Sequence, residues 1–63
     1  MVRGGVPHIG NNVNIGSGSA LIGGIKVGDN AIIGAHSVVN RDVYDDTTVV
    51  GVPAKVVKKN RRI

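Results

Sequence analysis

The chain has 63 residues and contains no cysteine, no tryptophan and no phenylalanine, with Tyr44 its single aromatic residue. Without cysteine, neither disulfides nor thiolate metal sites are available to staple a small domain. Two histidines and four acidic residues at irregular spacing make no metal-ligand pattern, so no metal is expected. Without large aromatics the core must be filled by Val, Ile, Leu and Ala, which suits a narrow and regular interior. No run approaches the roughly 20 apolar residues needed to span a bilayer. Met1-Val2-Arg3-Gly4-Gly5 lacks the apolar stretch of a signal peptide. The expected location is therefore the cytoplasm, with no membrane partner. A core this small barely offsets the entropy of ordering the backbone. With other staples excluded, association with further chains is the remaining source of stability.

Charge is present but unevenly placed. Of eight basic residues, five are Lys55, Lys58, Lys59, Arg61 and Arg62, and the net charge is +4. The basic end is short and has no aromatic residue to stack on a base, and the rest of the chain adds little charge, which argues against nucleic acid as a partner.

The dominant feature is a repeat of six. From residue 9 the chain divides into Ile9-Gly10-Asn11-Asn12-Val13-Asn14, Ile15-Gly16-Ser17-Gly18-Ser19-Ala20, Leu21-Ile22-Gly23-Gly24-Ile25-Lys26, Val27-Gly28-Asp29-Asn30-Ala31-Ile32 and Ile33-Gly34-Ala35-His36-Ser37-Val38. A weaker sixth copy runs from Val39 to Tyr44. Position one is aliphatic throughout, and position two is Gly in four copies. This pattern predicts an all-β fold: a parallel β-helix of triangular cross-section, in which each copy gives a short strand and a corner. Three copies make one coil, so residues 9–26 form one coil and 27–44 the next, about two to three in all. Position one points to the axis, and position five sits where space is tighter. Gly at position two, with Gly, Asn or Asp at three and four, is expected to permit sharp turns through positive φ. The regular sixes exclude a sandwich, whose turns would come at variable intervals of about 8–12 residues.

The expected organisation is an entry segment at 1–8, the repeats at 9–44, a closing extended segment at 45–57 and a basic tail at 58–63. Asp45-Asp46-Thr47-Thr48 is read as a polar turn, and Pro53 as tolerable only at an uncovered edge.

The stretch Ile33 to Val39, followed by Asp42-Val43 and by Thr48-Val49-Val50-Gly51-Val52-Pro53-Ala54-Lys55, resembles the ending of hexapeptide-repeat acyltransferases. Among these it is most similar to serine acetyltransferases and to capsule or sugar O-acetyltransferases. The resemblance covers Val6 to Val57. It implies a left-handed helix, against the usual right-handed rule for parallel crossovers. It also implies a homotrimer with active sites between adjacent prisms, acetyl-CoA as the acyl donor, and a small hydroxyl acceptor such as serine or a sugar. The family's His-Pro pair corresponds here to Val6-Pro7, with His8 following. The His and Asp that activate the acceptor in that family lie in coils nearer the N-terminus, so the resemblance implies the C-terminal part of a longer enzyme.

Acetyl transfer to a hydroxyl needs a general base and donors for a developing oxyanion. His8 is the candidate base. His36, at a corner, is read as a turn residue with a solvated ring. By resemblance, Ser17 and Ala35 line the groove for the pantetheine arm beside Gly34, because small side chains let the cofactor approach the backbone. Lys55 and Lys58 are candidates for the CoA phosphates. Two functions stand side by side: an acetyl-CoA-dependent O-acetyltransferase, and a non-catalytic trimerisation module that keeps the repeat but lacks the catalytic base.

Overall fold

Inward and outward side chains alternate through every copy, and the strands follow from that alternation. The computed structural model describes residues 5–59, and these contain strands and turns but no helix, hence none long and apolar enough to cross a membrane. Six two-residue strands come first: β1 (His8–Ile9), β2 (Asn14–Ile15), β3 (Ala20–Leu21), β4 (Lys26–Val27), β5 (Ile32–Ile33) and β6 (Val38–Val39). Two longer strands, β7 (Thr47–Gly51) and β8 (Ala54–Lys59), complete the set.

Pairing is parallel and 18 residues apart: His8 with Lys26, Asn14 with Ile32, and Ala20 with Val38. One coil is therefore three copies, and its three strands belong to three separate sheets: β1-β4, β3-β6 and β2-β5-β7-β8. Position five of one copy and position one of the next point to the axis, with an outward residue between them. Ile25, Val27, Ala31, Ile33, Val39, Val43 and Val49 form the buried core, against which Val13, Leu21 and Ala54 pack. Each is aliphatic, and none is larger than leucine or isoleucine. Where position five is polar, its hydroxyl is used. The Ser19 hydroxyl donates to the Gly34 carbonyl at 2.9 Å, and that of Ser37 accepts the Gly51 N–H at 3.1 Å.

The glycines at position two have a reason other than turning. Positive φ falls at position four, on Asn12, Gly18, Asn30 and His36, and at position three on Gly23, but not on Gly10, Gly16, Gly28 or Gly34. What excludes a side chain at position two is the coil above. A Cβ on Gly16 would stand 2.5 Å from the backbone nitrogen of Ala35, and one on Gly34 would stand 2.7 Å from Cγ2 of Val50. On Gly10 and Gly28 it would overlap the carboxylates of Asp29 and Asp45.

The sixth copy also differs from the expected Val39–Tyr44. Val27 bridges to Val43, and Ile32 pairs with Thr48, so the offset drops from 18 to 16 at this point. Two residues are missing: Val39-Asn40-Arg41-Asp42 is a four-residue copy, and Val43 opens a full one. Where the shortened corner interrupts the ladder, Oδ1 of Asp42 accepts the Lys26 N–H at 2.9 Å. Asp45-Asp46-Thr47-Thr48 is consequently part of a repeat, with Thr47 buried at position five.

The closing segment is a hairpin rather than one extended piece. After Gly51, at φ 111°, the chain turns through Val52-Pro53, joined by a cis peptide bond, and β8 returns antiparallel to β7. Strand β8 reaches Lys59, which places Lys58 and Lys59 in the sheet. The remainder of the basic tail lies outside the described residues.

The close approach at position two gives a direct test. Replacing Gly16→Ala forces a methyl group against backbone and is expected to cost about 1–3 kcal/mol, as overpacking does. Asn14→Ala, on the exposed face two residues away, should stay within about 0.5 kcal/mol. Urea unfolding of both variants decides it, and equal midpoints would refute the packing argument.

Candidate functional site

The three corners of the prism carry different chemistry, and the difference begins at position three. At the first corner that position reads Asn11, Asp29 and Asp45 in successive coils. Oδ1 of Asp29 accepts the Asn11 N–H at 2.7 Å, and Oδ1 of Asp45 accepts the Asp29 N–H at 2.8 Å. Gly10 and Gly28 leave the space through which each carboxylate reaches down. This corner is tied coil to coil, and its Asn11 and Asp29 N–H groups are occupied.

At the second corner the same position reads Ser17, Ala35 and Gly51. Ser17 and Ala35 are exposed, and the residue above each has no side chain that accepts a hydrogen bond downward. The Ser17 carbonyl accepts the His36 N–H at 2.9 Å. Among the described residues, no hydrogen bond takes the N–H of Ser17 or of Ala35. The result is an exposed column of small residues that carries unclaimed backbone donors along the helix axis. Side by side, the two corners differ by one carboxylate per coil.

The hairpin brings Lys55 to this corner. Val50 lies directly over Gly34, and Lys55 pairs with Val50 in the antiparallel ladder, so Gly16, Gly34, Val50 and Lys55 make one row across the sheet. Lys58 is paired with Thr48 in the same sheet, further from the corner. Of the residues expected to meet the cofactor, Ser17, Gly34, Ala35 and Lys55 are therefore gathered together, with Lys58 three residues along β8.

His8 is elsewhere. It lies in β1, exposed, on the β1-β4 face, in the coil furthest from the hairpin. It lines an open groove of about 660 Å³ together with Lys26, Asp42 and Tyr44, over a floor that includes Gly10 and Gly28. Within one chain His8 does not approach the Ser17–Ala35 column. His36 is exposed at its corner, at φ 58°, with its ring over Gly18, where a Cβ would stand 2.6 Å from Nδ1. Among the described residues, no three His, Asp or Glu side chains gather as metal ligands.

Lys26 and Tyr44 are the neighbours of His8 that spacing had left unremarked. The 18-residue offset puts Lys26 beside His8. Tyr44 joins them only because of the two-residue deletion, which gives it the position occupied by Gly10 and Gly28 in the coils below.

Comparison with known proteins agrees with the six-residue repeat and its fold. The model described as "Bacterial transferase hexapeptide (six repeats)" matches residues 7–41. A serine acetyltransferase from Synechococcus elongatus is 48% identical over 54 residues, which are 86% of this chain and 22% of that protein. The crystal structure of a maltose O-acetyltransferase from Clostridium difficile superimposes with a TM-score of 0.88 at 46% identity, over 94% of this chain and 32% of that one. A galactoside acetyltransferase in complex with coenzyme A superimposes with a TM-score of 0.82 at 42% identity, over 84% and 26%. The repeat and these neighbours imply left-handed winding. The chain spans about a fifth to a third of the length of these relatives.

The difference between the two corners predicts a specific gain. Ala35→Asp places a carboxylate over Gly16, as Asp29 stands over Gly10, within reach of the Ser17 N–H. Folding stability should hold or rise by about 0.5–1.5 kcal/mol, the net worth of a hydrogen bond. Thermal unfolding checks this, and a clear loss of stability would mean that the corners are not equivalent.

Proposed function

The chain belongs to the bacterial hexapeptide transferase family, and from that premise we propose that it builds the donor-binding β-helix of an acetyl-CoA-dependent O-acetyltransferase acting on serine or a sugar hydroxyl. One observation carries this reading: the exposed Ser17–Ala35 column, with its two backbone donors free, beside Lys55. A pantetheine arm is a chain of two amides. Its carbonyls would accept from the Ser17 and Ala35 N–H groups, and the small side chains leave the arm room to lie flat. Lys55, with Lys58 further along the strand, would meet the phosphates as point charges. The neighbour that binds coenzyme A supports the assignment of the donor.

The acceptor side is proposed to involve His8 as general base, taking the hydroxyl proton as oxygen attacks the thioester carbonyl; the C–S bond then breaks and the proton passes to the departing CoA thiolate, which leaves as the free thiol. His8 and the donor column occupy different faces of one prism. A homotrimer, in which the face of one chain lines the groove of the next, would bring such faces together, and it would bury flat faces that a short monomer leaves wet. The proposed helix has two to three coils and a cytoplasmic location. The separation of His8 from the donor column also favours a second reading. In that reading the chain is a non-catalytic trimerisation module that retains the donor groove without a working base.

Titration calorimetry with acetyl-CoA separates the parts. The chain should bind saturably, and Ala35→Asp, which fills the donor column and adds negative charge, should weaken binding about tenfold or more, the equivalent of about 1.4 kcal/mol. Lys55→Glu should weaken it similarly and flatten its salt dependence. His8→Ala should leave binding unchanged and reduce acetyl transfer by about a hundredfold or more, the usual contribution of a general base. Binding without turnover in the unaltered chain would select the module, and no binding would reject the donor groove.

A further inference from the structure

The second corner carries one side chain that the fold does not need. Position four there is Gly18 in one coil and His36 in the next, whereas at the first corner it is Asn12, Asn30 and Asp46. His36 stands at φ 58°, in the left-handed region. Among the described residues it is the only one at positive φ that is neither Gly, Asn nor Asp. Gly18 takes a similar conformation one coil below with no side chain at all. A strained backbone that a plainer residue would relieve points to a use for the side chain.

The position of the ring supplies that use. It descends across the corner onto Gly18, where a Cβ would stand 2.6 Å from Nδ1 and 2.8 Å from Cε1, so the bare backbone of Gly18 gives the ring its place. Ser17, the neighbour of Gly18, opens its N–H on the adjacent column. In these two coils the column is flanked by Gly16 and Gly34 on the position-two side, and by Gly18 and His36 on the position-four side. The ring is exposed, and among the described residues no hydrogen bond engages either of its nitrogens. An unpartnered imidazole therefore lies along the donor column, between the level of Ala35 and that of Ser17.

We propose that His36 is a further contact of the donor groove, holding the amide arm of the acyl carrier through a ring nitrogen. The assignment rests on the donor-groove reading above and adds what the backbone column lacks. The free N–H groups of Ser17 and Ala35 are donors, and they suit the carbonyls of a chain of two amides. The N–H groups of the same amides need acceptors. The Ser17 carbonyl already takes the His36 N–H at 2.9 Å, and Lys55 can only donate. A neutral imidazole presents one acceptor nitrogen and one donor. With the Ser17 hydroxyl it makes up the side-chain acceptors of this corner among the described residues. The arm then lies between the backbone column and the ring, held by its amides, while the lysines meet the phosphates.

Titration calorimetry on the full chain, with acetyl-CoA and with two pieces of it, tests this. S-acetylpantetheine carries the amides, and adenosine 3′,5′-bisphosphate carries phosphates without the arm. His36→Gly keeps the backbone conformation and removes the ring. It should weaken acetyl-CoA and S-acetylpantetheine by the same factor, about tenfold, and leave the bisphosphate unchanged, with a thermal midpoint no lower than that of the unaltered chain. His36→Asn keeps the turn, as Asn12 and Asn30 do, but is too short to cover Gly18, and it should bind as weakly as His36→Gly. Unchanged binding of S-acetylpantetheine by His36→Gly, equal weakening of the bisphosphate, or full recovery in His36→Asn each overturns the proposal and leaves the groove standing. No binding of acetyl-CoA by the unaltered chain removes the groove and the proposal with it. If His36→Gly fails to fold, the ring nitrogen NMR shifts of His36 in the unaltered chain decide. They should move on saturation with S-acetylpantetheine and stay still with the bisphosphate, and shifts that ignore S-acetylpantetheine overturn the proposal.

Discussion

Everything in this fold depends on how closely one coil lies on the next. Neighbouring strands stand about 4.8 Å apart, which is too little for a side chain at position two of the lower coil when the upper coil places its own backbone or carboxylate there. Glycine at that position is the consequence. It lets Asp29 and Asp45 reach down to backbone donors at one corner and lets the backbone of Ala35 rest over Gly16 at another. The apolar column inside is the other half of the same constraint. With coils so close, inward residues stack on their equivalents, as Val27 does under Val43 and Ile33 under Val49 in the buried core.

The donor column is best understood as a corner from which stabilising side chains have been left out. At the first corner, acidic residues satisfy the backbone and tie the coils together. At the second, serine, alanine and glycine leave the backbone donors open, and the coils are held there by the strand ladder and the half-buried Ser19 and buried Ser37 hydroxyls instead. A site that reads a ligand through backbone amides requires both features: donors without internal partners, and no side chain standing in the way.

The two-residue deletion at 39–42 does more than shorten a corner. It shifts every later residue by two places in the frame, which puts Tyr44 above Gly28 and Thr47 in the core. It also creates the unsatisfied Lys26 N–H that Asp42 answers. The hairpin that follows carries Lys55 to the donor column. One irregularity thus sets the composition of two faces.

The period of six, the axis-facing aliphatic residues and the coil of 18 residues were legible in the sequence, because each is a spacing property and the backbone obeys it locally, whereas Ser17 and Ala35 were singled out by family resemblance alone. The role of the position-two glycines was not legible, since it arises from residues 18 positions away that come within van der Waals distance only when the coils stack. The deletion was hidden for a similar reason: Val43 is aliphatic, as Val39 is, and only strand pairing reveals which of them opens a copy. Whether His8 and the Ser17–Ala35 column share a face was likewise decided by the winding of the chain, which assigns consecutive strands to different sheets. Sequence by itself determined the repeat and its chemistry. Tertiary structure decided which copies stand above one another, and therefore which donors are tied and which are left free.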